Sequence, residues 1–316
     1  MCKSIFAALL LGATSALAAA PQHHDQVAGF YRLEVGDLEV TALYDGGRAF
    51  DPHLLIGEKA TLDDVAAALR EEPHMLDSVA MGFLVNTGKQ LILVDAGAGT
   101  WWRPERFGHL VANLRSAGYT PEEVDVALLT HLHPDHIGGL TTHDGQRVFP
   151  NAEIFVSKTD SDYFLSPEIA ANASKDAQLF FEIAQAVAAP YIKAGKWRTF
   201  RASEEPVKGM KLVPLPGHTR GQTGYEFSSN GQRILFWGDV VHTQRVQLQH
   251  PEVATVYDID QTAAVATRKR LLPVLCSEDV LIAGPHMPYP GLGRLYKDGD
   301  RCRWQSVMYI DRWVER

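Results

Sequence analysis

The sequence predicts an α/β fold in which two mixed β-sheets pack face to face and helices cover their outer sides. Two β-rich parts of the chain are each followed by helical segments, and no long linker separates them. Several apolar strands also end in Gly or Pro followed by His or Asp. Such elements are stable when their apolar faces pack as layers around one core, so we interpret residues 21–316 as a single domain.

Residues 1–20 have the pattern of a secretory signal peptide. Lys3 gives a short basic start, residues 5–11 are an apolar run, and small residues follow at 18–20. The run is too short to span a membrane, and a segment of this kind is removed from the mature protein. We therefore expect a secreted or periplasmic protein with no membrane segment in its mature form. The alternative is an N-terminal anchor.

Composition limits the classes of function. The chain has 316 residues, 46% of them hydrophobic, and can bury a sizeable core. Its formal net charge is −8 and it has no Lys/Arg cluster, so nucleic acid and anionic membranes are poor partners. Cys276 and Cys302 could pair in an oxidising compartment, but spacing alone fixes no geometry, and their pairing stays open.

The individual elements follow from apolar periodicity and turn residues. Alternation around Gly36-Asp37 and around residues 87–89 predicts two hairpins, and Pro73 ends the first helix. The predicted strands cover residues 30–35, 38–44, 82–86, 90–94, 124–129, 152–157, 197–201, 210–215, 224–228, 233–237 and 280–283, the last of the chain. The predicted helices cover residues 63–72, 107–118 and 261–275, and a helical region from 160 to about 190 is predicted to break near Pro167.

The most informative stretch is residues 130–139, directly after a strand whose apolar run is typical of burial. It holds four side chains of metal-ligand type: His131, His133, Asp135 and His136. Imidazole and carboxylate are ligands that zinc and similar metals prefer. Because Pro134 turns the chain, the first two and the last two can point different ways, which suits two metals better than one. A loop that is His-rich by chance is a poor alternative.

Three later strands end in the same way. A Gly or Pro allows a tight turn after each strand, and then a ligand-type residue follows: His218, Asp239 and His286. Because strand ends gather at one edge of a sheet, these endings predict one shared metal site. Asp95 also follows an apolar strand, and we expect it to cap its loop, to orient a ligand histidine, or both.

These residues resemble the metallo-β-lactamase superfamily in its dinuclear hydrolase form, over nearly the whole mature chain. Four further segments resemble, more narrowly, the secreted methyl parathion hydrolase group, which includes lactone and dihydrocoumarin hydrolases. They are residues 30–32, 82–88, 188–196 and 286–291. The resemblance implies an αββα sandwich, and because related hydrolases are often dimers it leaves a homodimer open.

The resemblance also implies two divalent metal ions. In that arrangement one metal is held by His131, His133 and His218, the other by Asp135, His136 and His286, and Asp239 bridges both. Where true β-lactamases often have a Cys ligand this chain has Asp239, and where diiron oxygen-reducing relatives have Glu it has His133. Both departures favour a hydrolytic dizinc centre, although manganese, iron and cobalt accept the same ligand types.

This centre predicts a mechanism. Two metals about 3.5–4 Å apart can hold a bridging hydroxide near neutral pH, which would attack a carbonyl carbon or the phosphorus of a triester. Asp135 and Asp239 would be catalytic as holders of the metals, and no Gly-x-Ser-x-Gly nucleophile motif is present. His242, three residues after Asp239, either orients substrate or protonates a departing alkoxide, or is a surface loop histidine.

The substrate prediction rests on the leaving group. A lactone leaves a basic alkoxide and gains more from a proton donor than an activated aryl phosphate does, so we expect lactones or aryl esters, with phosphotriesters as further substrates. The alternatives are a glyoxalase II-type thioesterase and a non-catalytic metal-binding protein on the same scaffold. The candidates for an apolar substrate pocket are Trp101, Trp102, Phe164 and Phe181, although aromatics at helical spacing are often core residues.

Overall fold

The computed structural model describes residues 22, 24, 26–71, 77–299 and 301–309, and the predicted signal peptide lies outside them. The strands are β1 (Phe30–Val35), β2 (Leu38–Ala49), β3 (Leu55–Ile56), β4 (Asp77–Asn86), β5 (Leu91–Val94), β6 (Val126–Leu128), β7 (Glu153–Ser157), β8 (Trp197–Phe200), β9 (Met210–Pro214), β10 (Thr223–Ser229), β11 (Gln232–Phe236), β12 (Ala254–Thr255), β13 (Leu281–Ala283), β14 (Leu292–Asp298) and β15 (Arg301–Ser306). The α-helices are α1 (Lys59–Glu71), α2 (Leu110–Ser116), α3 (Pro134–Ile137), α4 (Lys158–Phe164), α5 (Pro167–Ala171), α6 (Lys175–Lys193), α7 (Gln244–Gln247) and α8 (Gln261–Leu275).

The described strands form two large mixed sheets and one small pair. The first sheet has the order β1-β2-β4-β5-β6-β7-β8, the second the order β15-β14-β13-β11-β10-β9, and β12 pairs with β3. Neighbours from β5 to β8 run parallel, as do β11 and β13. Parallel neighbours need long crossover connections, and the connections after β6 and β11 carry predicted ligands.

The core has three apolar layers. Between the sheets, Phe83 and Phe236 meet edge to face with ring centroids 5.6 Å apart. Outside the first sheet, helices α2 and α6 bury residues such as Leu114 and Val187. Outside the second sheet, α8 buries Leu271 and its neighbours. This order of helix, sheet, sheet and helix confirms the predicted αββα sandwich.

Two predicted elements need correction. The strand at 280–283 is not the last, since β14 and β15 extend the second sheet beyond β13. Strand β15 lies at the sheet edge and alternates exposed with half-buried residues, so it lacks a strong apolar signal. The helix predicted at 107–118 begins only at Leu110, because the Asp45 carboxylate accepts hydrogen bonds from the N–H groups of Gly108 (3.2 Å) and Leu110 (3.0 Å).

Cys276 and Cys302 form a disulfide with their Cα atoms 6.0 Å apart. The bond joins the residue after α8 to strand β15. The pairing of these two cysteines, which their spacing alone left open, is therefore present in the structure. Among the described residues, no helix has both the length and the apolar content needed to cross a bilayer.

Candidate metal centre

The predicted ligands meet at one edge of the sandwich, each just after a strand. Strand β6 is followed by His131, His133, Asp135 and His136, strand β9 by His218, strand β11 by Asp239, and strand β13 by His286. All are buried except Asp135, which is half-buried. Pro134 begins α3 and its fixed φ suits a first helical turn. Gly238, at φ +58°, turns the chain between β11 and Asp239.

Asp239 lies at the centre of the cluster. Its Oδ2 is 3.2 Å from His218 Nε2, 3.0 Å from His286 Nε2 and 3.1 Å from His242 Nε2. Its Oδ1 is 3.1 Å from His136 Nε2. One carboxylate therefore touches imidazoles from the loops that follow four different strands, β6, β9, β11 and β13.

Two groups of donor atoms flank this carboxylate. The donor atoms of the first group lie within 4.8 Å of one another and belong to His131, His133 and His218. Those of the second group meet the same limit and belong to Asp135, His136 and His286. In the first group His133 Nδ1 is 2.8 Å from His218 Nε2. The structure thus brings all seven predicted ligands together in the two sets that the resemblance implied.

Hydrogen bonds fix the orientation of the imidazoles from behind. His136 Nδ1 donates to Asp95 Oδ2 (2.9 Å), His218 Nδ1 donates to Asp258 Oδ1 (2.9 Å), and His286 Nδ1 donates to the carbonyl oxygen of Val79 (2.6 Å). In each ring the other nitrogen, Nε2, then faces the centre. Carboxylates and carbonyls behind metal-ligating histidines set their tautomer in this way.

Two carboxylates, those of Asp95 and Asp258, hydrogen-bond to ligand histidines, and the sequence predicts only the first. Asp95 has both expected roles, because it also accepts hydrogen bonds from the N–H and the hydroxyl of Thr130 at 2.8 Å each. Sequence reasoning missed Asp258, which lies in the loop before α8 and is fixed by the N–H of Thr255. No spacing or strand-end signal marks that loop position.

The residues fit a pair of divalent ions. Nε2 of His131 is buried and forms no hydrogen bond with any described residue, and the buried Nε2 of His136 faces Asp239 Oδ1 at 3.1 Å without hydrogen-bond geometry. Unsatisfied buried polar atoms are costly, and lone pairs directed at cations remove that cost. The donors are the imidazole nitrogens and carboxylate oxygens that zinc takes.

In the metal-free protein the electrostatics differ between the ligands. Burial, reinforced by neighbouring imidazoles, holds the pKa of His131 and of His133 well below the usual value, so both are neutral at pH 7. Burial would raise the pKa of Asp239, but His136, His286 and His131 hold it well below its usual range. Neutral imidazole and ionised carboxylate are the states that bind metal. Burial lowers the pKa of His136, His218 and His286, but Asp239 and the other carboxylates beside them raise it more, to above the usual value and to about 9 for His218, so metal binding displaces protons there.

His242 lies in the centre and not on the surface. Its side chain is 5% exposed, and its ring stacks on that of His286 with centroids 5.3 Å apart. Burial lowers its pKa against the opposing effect of Asp239. Its Nε2 faces Asp239 Oδ2 at 3.1 Å, so the ring belongs to the buried centre and the surface-loop interpretation of His242 is wrong.

A cavity opens directly over the ligands. Its wall contains the ligands His133, Asp135, His218, Asp239 and His286, then His242, and outside them Arg48, Phe50, Ser78, Val79, Ala80, Trp102, Phe107, Phe180 and Tyr257. The wall beyond the metal ligands is therefore mostly aromatic and apolar. Arg48 is its one arginine or lysine within the described chain; its Nη2 donates to Tyr257 Oη (3.1 Å) and its guanidinium lies 5.2 Å from the Trp102 ring.

Of the four predicted pocket aromatics, Trp102 lies on this wall and three do not. Trp101 packs against the helical layer, where its Nε1 donates to the carbonyl oxygen of Thr141. Phe164 and Phe181 are buried in the same layer, at 1% and 2% exposure. Phe180 faces the cavity instead, because successive residues of a helix point about 100° apart.

Comparison with known proteins decides the family. A family model described as the metallo-beta-lactamase superfamily matches residues 77–286. The chain belongs to this superfamily. Probable metallo-hydrolases of Mycobacterium bovis and Mycobacterium tuberculosis are each 29% identical to it over 183 residues, covering 50% of this chain and 56% of theirs. The chain thus spans about half the length of the curated relatives it matches.

Two solved structures are similar to this chain over most of its length. A hydrolase titled AbOPH in the beta lactamase superfamily has a TM-score of 0.85 and 36% identity, covering 91% of this chain and 100% of its own. AidC, a dizinc quorum-quenching lactonase in complex with the product N-hexnoyl-L-homoserine, has a TM-score of 0.79 and 27% identity, with the same coverage. These likenesses agree with a metal-dependent hydrolase.

Proposed function

We propose that this protein is an exported, dinuclear metal-dependent hydrolase of lactones or aryl esters that also accepts phosphotriesters. The observation that carries the proposal is the convergence of seven ligand side chains, with Asp239 at their centre and unsatisfied buried donor atoms beneath an aromatic cavity. The similarity to a dizinc lactonase supports zinc as the metal. The narrower resemblance to methyl parathion hydrolases supports the phosphotriester activity.

The residues of the centre have separate roles in binding metal and in turnover. When bound, two divalent ions would supply Lewis-acid polarisation of the scissile group and activation of water. His131, His133 and His218 would hold one ion, Asp135, His136 and His286 would hold the other, and Asp239 would be a ligand of both. His242, neutral at pH 7, carries one ring N–H and directs it toward the substrate carbonyl or the departing oxygen.

The cavity wall selects the substrate. Phe50, Trp102, Phe107 and Phe180 give an apolar surface that favours flat or aliphatic groups and excludes water around the ester. Tyr257 fixes the Arg48 guanidinium by a hydrogen bond at the same wall. A neutral ester with one apolar substituent and one exposed acceptor oxygen therefore fits this cavity.

A substrate panel with metal analysis tests the proposal. Metal-free protein is loaded with zinc, its metal content is measured, and turnover is followed with dihydrocoumarin, aliphatic lactones, methyl paraoxon and S-lactoylglutathione. We expect two ions per chain and turnover of the lactones and aryl esters. Turnover of S-lactoylglutathione alone would replace the proposal with the thioesterase, and two bound ions with no turnover would leave a metal-binding protein.

A further inference from the structure

A buried carboxylate outside the metal centre holds one of its loops. Asp160 in α4 is fully buried; its Oδ2 accepts a hydrogen bond from Thr219 Oγ1 and its Oδ1 accepts one from the N–H of Gly221, each at 2.6 Å. Both donors belong to the loop between β9 and β10, which carries His218. The mechanism above makes no use of Asp160.

The first half of that loop is fixed from the opposite side. Thr267 Oγ1 of α8 donates to the carbonyl oxygen of Pro216 (2.7 Å). The N–H groups of Asp260 and Ile259, just before α8, donate to the carbonyl oxygens of Gly217 (2.9 Å) and His218 (3.0 Å). Beyond His218 the loop has backbone bonds within itself, such as that from the Gly217 N–H to the Thr219 carbonyl oxygen (2.9 Å). Its attachment to the rest of the protein on that side depends on other contacts.

The second half of the loop packs closely against the start of α4. A Cβ atom on Gly221 would lie 2.1 Å from Ser157 Oγ and 2.7 Å from the backbone nitrogen of Asp160. Ser157 Oγ in turn accepts a hydrogen bond from the Asp160 N–H (3.2 Å), which begins the helix. Asp160 is therefore rigidly placed and determines where Thr219 and Gly221 lie.

Helix α4 also contacts a second ligand of the same metal group. The ring of Phe164 meets that of His133 edge to face, with centroids 5.6 Å apart and planes at 86°. One short helix thus touches His133 directly and holds the residues after His218. The facing nitrogens of these two ligands are 2.8 Å apart, so a small displacement of the loop changes the ligand geometry.

We propose that Asp160 is a positioning residue of the metal centre: by binding Thr219 and Gly221 it fixes the His218 ring relative to His133 and His131. It acts through the loop and touches neither substrate nor metal. This inference rests on the proposed metal centre. A carboxylate that serves only the fold would affect stability without a specific effect on metal binding.

Measurements of metal affinity distinguish a positioning role of Asp160 from a purely structural role. Zinc binding to metal-free protein is measured by competition with a chromophoric chelator, and cobalt(II) absorption reports the ligand geometry. Asp160→Ala removes both acceptors, and we expect one of the two ions to bind about tenfold more weakly or worse, as when other supports of ligating histidines are lost, with an altered cobalt spectrum. Asp160→Asn, whose amide accepts from Gly221 and donates to Thr219, should restore both.

Matched variants keep the inference testable. Thr219→Val removes one hydrogen bond to Asp160 and should weaken zinc binding, whereas Thr219→Ser keeps the hydroxyl and should bind zinc as the wild type does. Should Asp160→Ala fail to fold, the comparison of these two variants tests the inference in its place. Val187→Ala, a buried truncation in the same helical layer, should lower stability and leave zinc affinity unchanged. Equal zinc affinity and cobalt spectra for wild type, Asp160→Ala and Thr219→Val would overturn the inference. Failure of the wild type to bind metal would instead overturn the proposed function.

Discussion

Asp160 also predicts how stability depends on pH in the metal-free protein. Burial raises the pKa of this carboxyl from 3.8 to about 6, against the lowering effect of the hydrogen bonds from Thr219 and Gly221 and of the His218 charge. A folded pKa above the unfolded one means that the folded state binds the proton more tightly. The stabilisation is therefore complete below about pH 3.8 and is lost as pH rises through about 6.

The size of the effect follows from the shift. A change of one pKa unit corresponds to about 1.4 kcal/mol, so moving from 3.8 to about 6 gives about 3 kcal/mol over the whole range. Linkage places about 1.4 kcal/mol of it between pH 5 and pH 8. Asp160→Asn does not titrate, so the free energy of unfolding of the wild type should fall relative to this variant by that amount over this interval.

Urea unfolding of both proteins at pH 5 and pH 8, with EDTA present, measures the difference. Other titrating groups cancel between wild type and variant. Asp162→Asn, which removes an exposed carboxylate from the same helix, is the matched control and should show a smaller change. A difference between wild type and Asp160→Asn that stays flat with pH, or that grows in favour of the wild type at pH 8, would refute the reasoning.

Three further predictions concern the centre and its cavity. His242→Leu should reduce lactone turnover about 100-fold, the lower range for a lost proton donor, and nitrophenyl phosphotriester turnover much less; equal losses in kcat/KM would contradict its role. Asp258→Asn should weaken zinc binding about 10- to 100-fold, because one amide oxygen cannot accept from both His218 Nδ1 and the N–H of Thr255, and an unchanged result in chelator competition would argue against it. Trp102→Ala should raise KM for aryl esters several-fold, whereas Trp101→Ala, away from the cavity, should mainly lower thermal stability; equal KM values for both variants would exclude the cavity assignment.

The ligands could be predicted because each follows an apolar strand and a turn residue. His131, His218 and His286 are separated by long stretches of sequence, yet all stand at strand ends that the sheets bring to one edge. That inference needs only local signals and the rule that strand ends gather. The supports behind the ligands carry no such signal. Asp258 reaches His218 from an irregular loop whose position depends on the packed fold.

The cavity was harder to predict than the centre for a similar reason. Arg48 lies near the end of β2 and Tyr257 lies before α8, and only the folded chain places them 3.1 Å apart. Within α6 the sequence did not distinguish Phe180 from Phe181, since their roles depend on helical phase against a sheet of unknown orientation. The sequence pattern did not predict strand β15 because an edge strand needs little apolar surface.

The Cys276–Cys302 bond has a consequence for how the protein should be prepared. It ties the last described hairpin to the end of α8, the helix near whose middle Thr267 donates to the Pro216 carbonyl, two residues before His218. Chain synthesised in a reducing cytosol would lack this covalent link, and a cross-link that closes a loop of 26 residues contributes about 3.5 kcal/mol. Material recovered from an oxidising compartment should accordingly keep its zinc longer on warming than material purified with added thiol.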